Sequence, residues 1–182
     1  RVAKNGQRFV YDGYLQIADN NGNAYVWDPT EKVATRPLAW LVLRSLGEGG
    51  YYTHNGNKNV SEVVAENGDV AAHYEYAPFG AVTMQSGTSA AINPWRFSGE
   101  YNEGETATMY YNYRHYEPRA GRWLSRDPIE HFYLMRKGTL EAYRLGGGDV
   151  YQFICNALPN AIDSFGLDIY LTEGNKNASW YQ

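Results

Sequence analysis

A single cysteine in 182 residues excludes an internal disulfide, and three methionines beside 17 tyrosines and 19 glycines leave little material for a helical bundle. That cysteine, Cys155, lies in the apolar run QFIC, which suits an inert buried thiol rather than a nucleophile. No run approaches the roughly eighteen apolar residues of a membrane span; the best, LAWLVL at 38–43, is far too short. A formal charge of −4 lacks the basic excess that nucleic acid or an anionic membrane would select. Phosphate-loop, GxSxG and GxGxxG motifs are missing, and Gly146-Gly147-Gly148 has no Lys or Ser/Thr beside it, so it reads as a hinge. His54, His73, His115 and His131 stand singly, without HxxxH or CxxC spacing. No metal and no cofactor is expected. No leader peptide is expected within these residues, and the opening Arg1-Val2-Ala3-Lys4 reads as mid-pattern, as if cut from a longer chain.

What is present is turn and strand. Asn5-Gly6, Asp12-Gly13, Asn21-Gly22, Asn55-Gly56 and Asn67-Gly68 are dipeptides that tolerate the positive φ of type I′ turns, and they punctuate alternating segments. After Gly68, residues Val70, Ala72, Tyr74 and Tyr76 face one way and Ala71, His73 and Glu75 the other. Asn21-Gly22-Asn23 leading into Ala24-Tyr25-Val26-Trp27 repeats that layout, the mark of an array in which each hairpin buries its face against neighbours. The expected class is mainly β. Stacked hairpins are expected over 1–84, a flexible connector over 85–91, and a motif-bearing unit over 92–167, with one or two short helices in the insertion between Pro128 and Tyr151. The polar stretch 168–182 forms a region of different character.

The segment WRFSGEYNEGETATMYYNYRHYEPRAGRWLSRDPI, followed by VYQFICNALPNAIDSFGL, closely resembles the core associated with RHS (YD-repeat) proteins. Residues 51–80, with an aromatic strand closing on Tyr76-Ala77-Pro78-Phe79-Gly80, resemble the run of such repeats into that core, although Tyr52-Thr53-His54 departs from the usual Tyr-x-Asp. The resemblance implies a curved antiparallel sheet of stacked hairpins forming a shell around a C-terminal effector, together with an intramolecular aspartyl protease. By the same resemblance the catalytic residues are Asp127 and Asp163, with Arg114 as the orienting charge, and the cut falls between Leu167 and Asp168. Two carboxylates sharing a proton can act as base and acid, and a guanidinium can grip a carboxylate or carbonyl at two points. Glu130 stands where the family commonly has Gly, and Ser164 where it has Pro. A secreted or cell-surface location is likewise implied by the resemblance.

The residues alone leave other readings open. Each aspartate can simply open a turn while Arg114 serves as an ion-pair partner. The chain is then a non-catalytic surface or adhesion module, with tyrosine-rich strands for binding. Tyr51-Tyr52 and Tyr110-Tyr111-Tyr113 suit inter-strand packing or a carbohydrate platform, and Asn59-Val60-Ser61 and Asn177-Ala178-Ser179 match the glycosylation triplet. Self-association is expected through an open strand edge, with the alternating segment Gln7-Arg8-Phe9-Val10-Tyr11 the first candidate.

Overall fold

The computed structural model describes residues 2–31, 36–44, 49–126, 151–153, 161–163, 166 and 169–171. Nine strands make one antiparallel sheet in which neighbours in space are neighbours in sequence: β1 (Ala3–Lys4), β2 (Gln7–Asp12), β3 (Leu15–Asp19), β4 (Asn23–Trp27), β5 (Pro37–Val42), β6 (Gly49–His54), β7 (Val60–Val64), β8 (Val70–Tyr76) and β9 (Val82–Ser86). A four-stranded sheet follows, β10 (Tyr101–Glu103), β11 (Thr108–Tyr110), β12 (His115–Glu117) and β13 (Arg122–Trp123), and then a pair, β14 (Ala161–Asp163) and β15 (Ile169–Leu171). Among the described residues the only helical geometry is a tight turn at Phe97–Gly99, which agrees with the mainly-β reading. The helices expected between 128 and 147 lie outside the described residues, as do Cys155 and His131.

The turns use fewer type I′ geometries than the dipeptides suggest. Asn5 and Gly6, at φ 48° and 81°, do close a two-residue loop between Lys4 and Gln7. Four other hairpins share a different loop of three residues, a type I turn whose last residue is left-handed. In each, a carbonyl accepts from the amide three residues on: Asp19 from Gly22, Asn55 from Lys58, Ala65 from Gly68 and Ala77 from Gly80. The left-handed residues are Gly22, Lys58, Gly68 and Gly80. Asp19 and Asn55 also do the same job with their side chains, each oxygen accepting from the amides two and four residues ahead. This shared device is the structural content of the weak repeat.

Five of the eight pairings in the large sheet carry a bulge. Bulges sharpen twist, and the sheet curls until both ends reach the four-stranded sheet. At one end Lys4 Nζ pairs with Glu103, Asn5 donates to Glu105, and the Phe9 ring meets Tyr101 edge-on. At the other, the Tyr116 hydroxyl donates to the Phe79 carbonyl, and the left-handed Gly80 lies against the Phe97 ring, where a β-carbon would come within 2.4 Å of it.

Between the two sheets runs a strap from Asn93 to Tyr101. Trp95 meets Tyr25, Trp27 and Tyr101 edge-on, and buried Asn93 accepts from the Tyr52 hydroxyl and donates to the Tyr74 hydroxyl and the Trp95 carbonyl. The inward positions Tyr25, Trp40, Tyr52, Val63, Ala72 and Tyr74 form the main core. A second aromatic core, Phe97, Met109, Tyr111, Tyr116, Trp123 and Phe153, lies under the small sheet.

Two expectations need correction. The segment Gln7–Asp12 is not wholly an open edge: β1 covers its start, with Ala3 opposite Arg8, Lys4 opposite Gln7 and the Phe9 amide donating to the Val2 carbonyl. Phe9 itself points inward and is buried. The stretch 85–91 does not hang free of the sheet. Gln85 and Ser86 belong to β9, the Ser89 amide donates to the Ala71 carbonyl, and Ala90 is buried with its carbonyl bonded by Tyr74 and Arg96.

Candidate functional site

The site grows from a two-residue loop. Tyr111 and Arg114 exchange backbone hydrogen bonds in both directions, at 3.0 and 3.1 Å, leaving Asn112 and Tyr113 at the tip. Directly opposed residues send their side chains to the same face, so Tyr111 and Arg114 both turn into the core while Tyr113 is exposed. Tyr116, two residues beyond Arg114, shares that face, and Trp123 is its partner across β12 and β13. An arginine is thereby driven into an aromatic box, its guanidinium 4.0 Å from the centre of the Trp123 ring.

A buried guanidinium needs partners, and residues 163–166 supply them. Arg114 Nη2 donates to Asp163 Oδ2 at 3.1 Å, and Nε donates to the Gly166 carbonyl. The other carboxylate oxygen, Asp163 Oδ1, accepts from the Gly166 amide at 2.6 Å. The Arg114 and Asp163 side chains are 5% and 2% exposed, so this is a desolvated, charge-assisted network rather than a surface ion pair. Gly166 is left-handed, φ 74°, and a β-carbon there would lie 3.2 Å from Tyr111 Cβ, 3.3 Å from Arg114 Cβ and 3.3 Å from Trp123 Cη2. Burial holds the Tyr111 phenol well above its usual range, and the charges of Glu100 and Asp163 push it the same way. It stays a neutral wall of the site.

Asp163 ends β14 and Ile169 begins β15, with the two residues paired, so the loop between them carries Leu167 and Asp168. Of the residues expected from the sequence, Arg114 and Asp163 come together. Asp127, Leu167 and Asp168 lie outside the described residues. Arg114 binds differently from the expectation of a grip on one group: its two nitrogens divide between a carboxylate and the carbonyl of Gly166. Trp123 and buried Glu100 were not singled out in the sequence, and Tyr111 was read there only as inter-strand packing or part of a carbohydrate platform. The position of Trp123 four residues before Asp127 was the available signal for one of them. Among the described residues no group of His, Cys, Asp and Glu is arranged to hold a metal.

The curled antiparallel sheet closed by a small four-stranded one is a fold also seen elsewhere: the chain matches the crystal structure of TcdB2-TccC3 with a TM-score of 0.59, at 22% identity over 88% of this chain and 7% of that one. In sequence the chain is similar to toxin proteins. It is 28% identical over 179 residues to Double-stranded DNA deaminase toxin A of Burkholderia cenocepacia (strain H111), covering 88% of this chain and 12% of the relative. It is 38% identical over 79 residues to Toxin protein Tse5 of Pseudomonas aeruginosa, covering 43% of this chain and 5% of the relative. The chain therefore spans only a small part of the curated relatives it matches. No protein-family model matches it.

Proposed function

We propose that these residues are the RHS-associated core of a toxin-type protein, with repeat hairpins over 1–84, the core over 92–167 and a variable region from Asp168, and that the core cuts its own chain after Leu167. In this reading the curled sheet is a segment of shell around a C-terminal effector, and the parent protein is secreted or displayed at a cell surface. The observation that carries it is the buried network of Arg114, Asp163 and Gly166 at the base of the loop that contains the Leu167-Asp168 bond. Arg114 holds the carbonyl one residue upstream of that bond's own carbonyl, which fixes the chain that is to be cut. Asp163 then stands as one of the acid–base pair, with Asp127 as its partner. Pairing with another copy falls in this reading to the outer strands β1 and β9.

Expression of the parent protein with its downstream sequence tests this. Intact mass and N-terminal sequencing should show a new terminus at Asp168, lost in Asp163→Asn and in Asp127→Asn. A chain that stays whole through prolonged incubation, or either variant cutting as well as wild type, would sink the assignment.

One observation favours a second reading, a non-catalytic interaction module. Both Asp163 oxygens already have partners, the Gly166 amide and Arg114, which is the arrangement of an aspartate that stabilises a turn. A persistently uncut chain that loses stability in Asp163→Asn selects this reading.

A further inference from the structure

We propose that Trp123 is a positioning residue that also sets specificity: it seats Arg114 and, with Tyr111, closes a subsite that accepts only glycine at position 166. The inference rests on the self-cleavage reading and adds to it the residue that decides which chain can be gripped. Three observations meet at this indole. Its face carries the Arg114 guanidinium, 4.0 Å from the ring centre. Its far edge, Cη2, would lie 3.3 Å from a β-carbon at Gly166, tighter than ordinary van der Waals contact. Its own placement is set independently, by pairing with Tyr116 and by its amide donating to the Tyr151 carbonyl at 2.8 Å.

The geometry separates two roles within one side chain. The face holds the fork of Arg114 at the angle from which Nε reaches the Gly166 carbonyl and Nη2 reaches Asp163. The edge removes the space that any side chain at 166 would need. Tyr111 Cβ, 3.2 Å from the same point, closes the other side and belongs to the backbone-anchored loop, so it cannot retreat. Of the three nearest walls among the described residues, Tyr111 Cβ, Arg114 Cβ and the indole edge, the indole edge is the one that a substitution can remove.

The test uses the parent protein with its downstream sequence, comparing wild type, Gly166→Ala, Trp123→Phe, their double variant and Trp123→Leu, by cleavage rate and by thermal unfolding. Gly166→Ala should cut at least tenfold more slowly, partly because alanine resists the left-handed backbone, which alone accounts for about tenfold. Phenylalanine keeps an aromatic face under Arg114 and lacks the outer ring edge. Trp123→Phe should therefore cut more slowly than wild type but faster than Trp123→Leu, and adding Gly166→Ala to it should cost a smaller factor than adding Gly166→Ala to wild type, since the steric share is relieved and the backbone share is not. Trp123→Leu should fold, as judged by its unfolding transition, yet cut slowly, because Arg114 loses its platform. An alanine penalty equally large in the Trp123→Phe background and in wild type would overturn the specificity role, and a fast Trp123→Leu would overturn the positioning role. Wild type that never cuts removes the self-cleavage reading alone: unfolding temperatures then decide the steric claim, which stands if Trp123→Phe reduces the penalty of Gly166→Ala and falls if the two penalties simply add.

Discussion

Replacing Asp163 with asparagine isolates the charge in the buried network, because the amide keeps an acceptor for the Gly166 N–H and nearly the same volume. What it removes is the ion pair to Arg114, whose 5% exposure denies the guanidinium compensation from water. Breaking a buried pair by removing one partner costs about 3–5 kcal/mol. Here the Trp123 face and the Gly166 carbonyl remain on Arg114 and offset about 1 kcal/mol of that. A net loss of about 2–4 kcal/mol is expected, which for a chain of this size lowers the unfolding midpoint by roughly 4–16 °C. Arg114→Met removes the orphaned charge and leaves an apolar stem against the indole, so the double variant should be more stable than the summed single losses by about 2 kcal/mol. Calorimetry and denaturant titration of the four proteins give the coupling directly. Additivity within about 0.5 kcal/mol would refute the claim that the two groups share a desolvated pair.

Two further outcomes follow from groups far from that network. Asn93→Ala removes at once the acceptor of the Tyr52 hydroxyl, one of two partners of the Tyr74 hydroxyl and a donor to the Trp95 carbonyl, and should cost about 2–4 kcal/mol in denaturant titration, with Asn93→Asp no better because a carboxylate cannot donate to the Trp95 carbonyl. His54 is held down to about 4 by burial, reinforced by Arg36 and Lys58. Its contribution to stability is therefore complete above the unfolded value of about 6.5 and is lost as pH falls toward 4, by about 1–2 kcal/mol once screening at this partly exposed site is allowed for. Melting curves at pH 7 and pH 4.5 should differ by less in His54→Gln than in wild type.

Strands and turns were legible because their causes are local. Gly68, the alternation from Ala72 to Tyr76 and the stop at Pro78 each act within a few residues, and the hairpins fall where they point. The turn type was less legible. Asn67-Gly68 permits type I′, yet Gly68 sits as the last residue of a three-residue loop because the ladder continues with Ala65 opposite Asp69. The cover over the start of β2 could not be read, since β1 is two residues long and no composition marks so short a strand. In the candidate site, Arg114 and Asp163 were named from motif order alone. Trp123 was missed because an indole in an aromatic-rich chain looks like core until a guanidinium is found on its face.

The curl of the large sheet has a consequence for the order in which the chain acquires structure. Its nine strands pair only with their neighbours in sequence, and most of their turns are short. The contacts that close the curl are of another kind: Lys4 to Glu103 and Asn5 to Glu105 join residues 99 and 100 positions apart. Bringing such distant points together costs about 3 kcal/mol more in chain entropy than closing a four-residue loop. A few ring and charge contacts at the β1–β2 hairpin must repay that, whereas each hairpin within the sheet repays a far smaller loss with a whole ladder. The seam between β1–β2 and β10–β11 is therefore the last part to form and the first to open, and the curl is weakest where β1–β2 meets the small sheet.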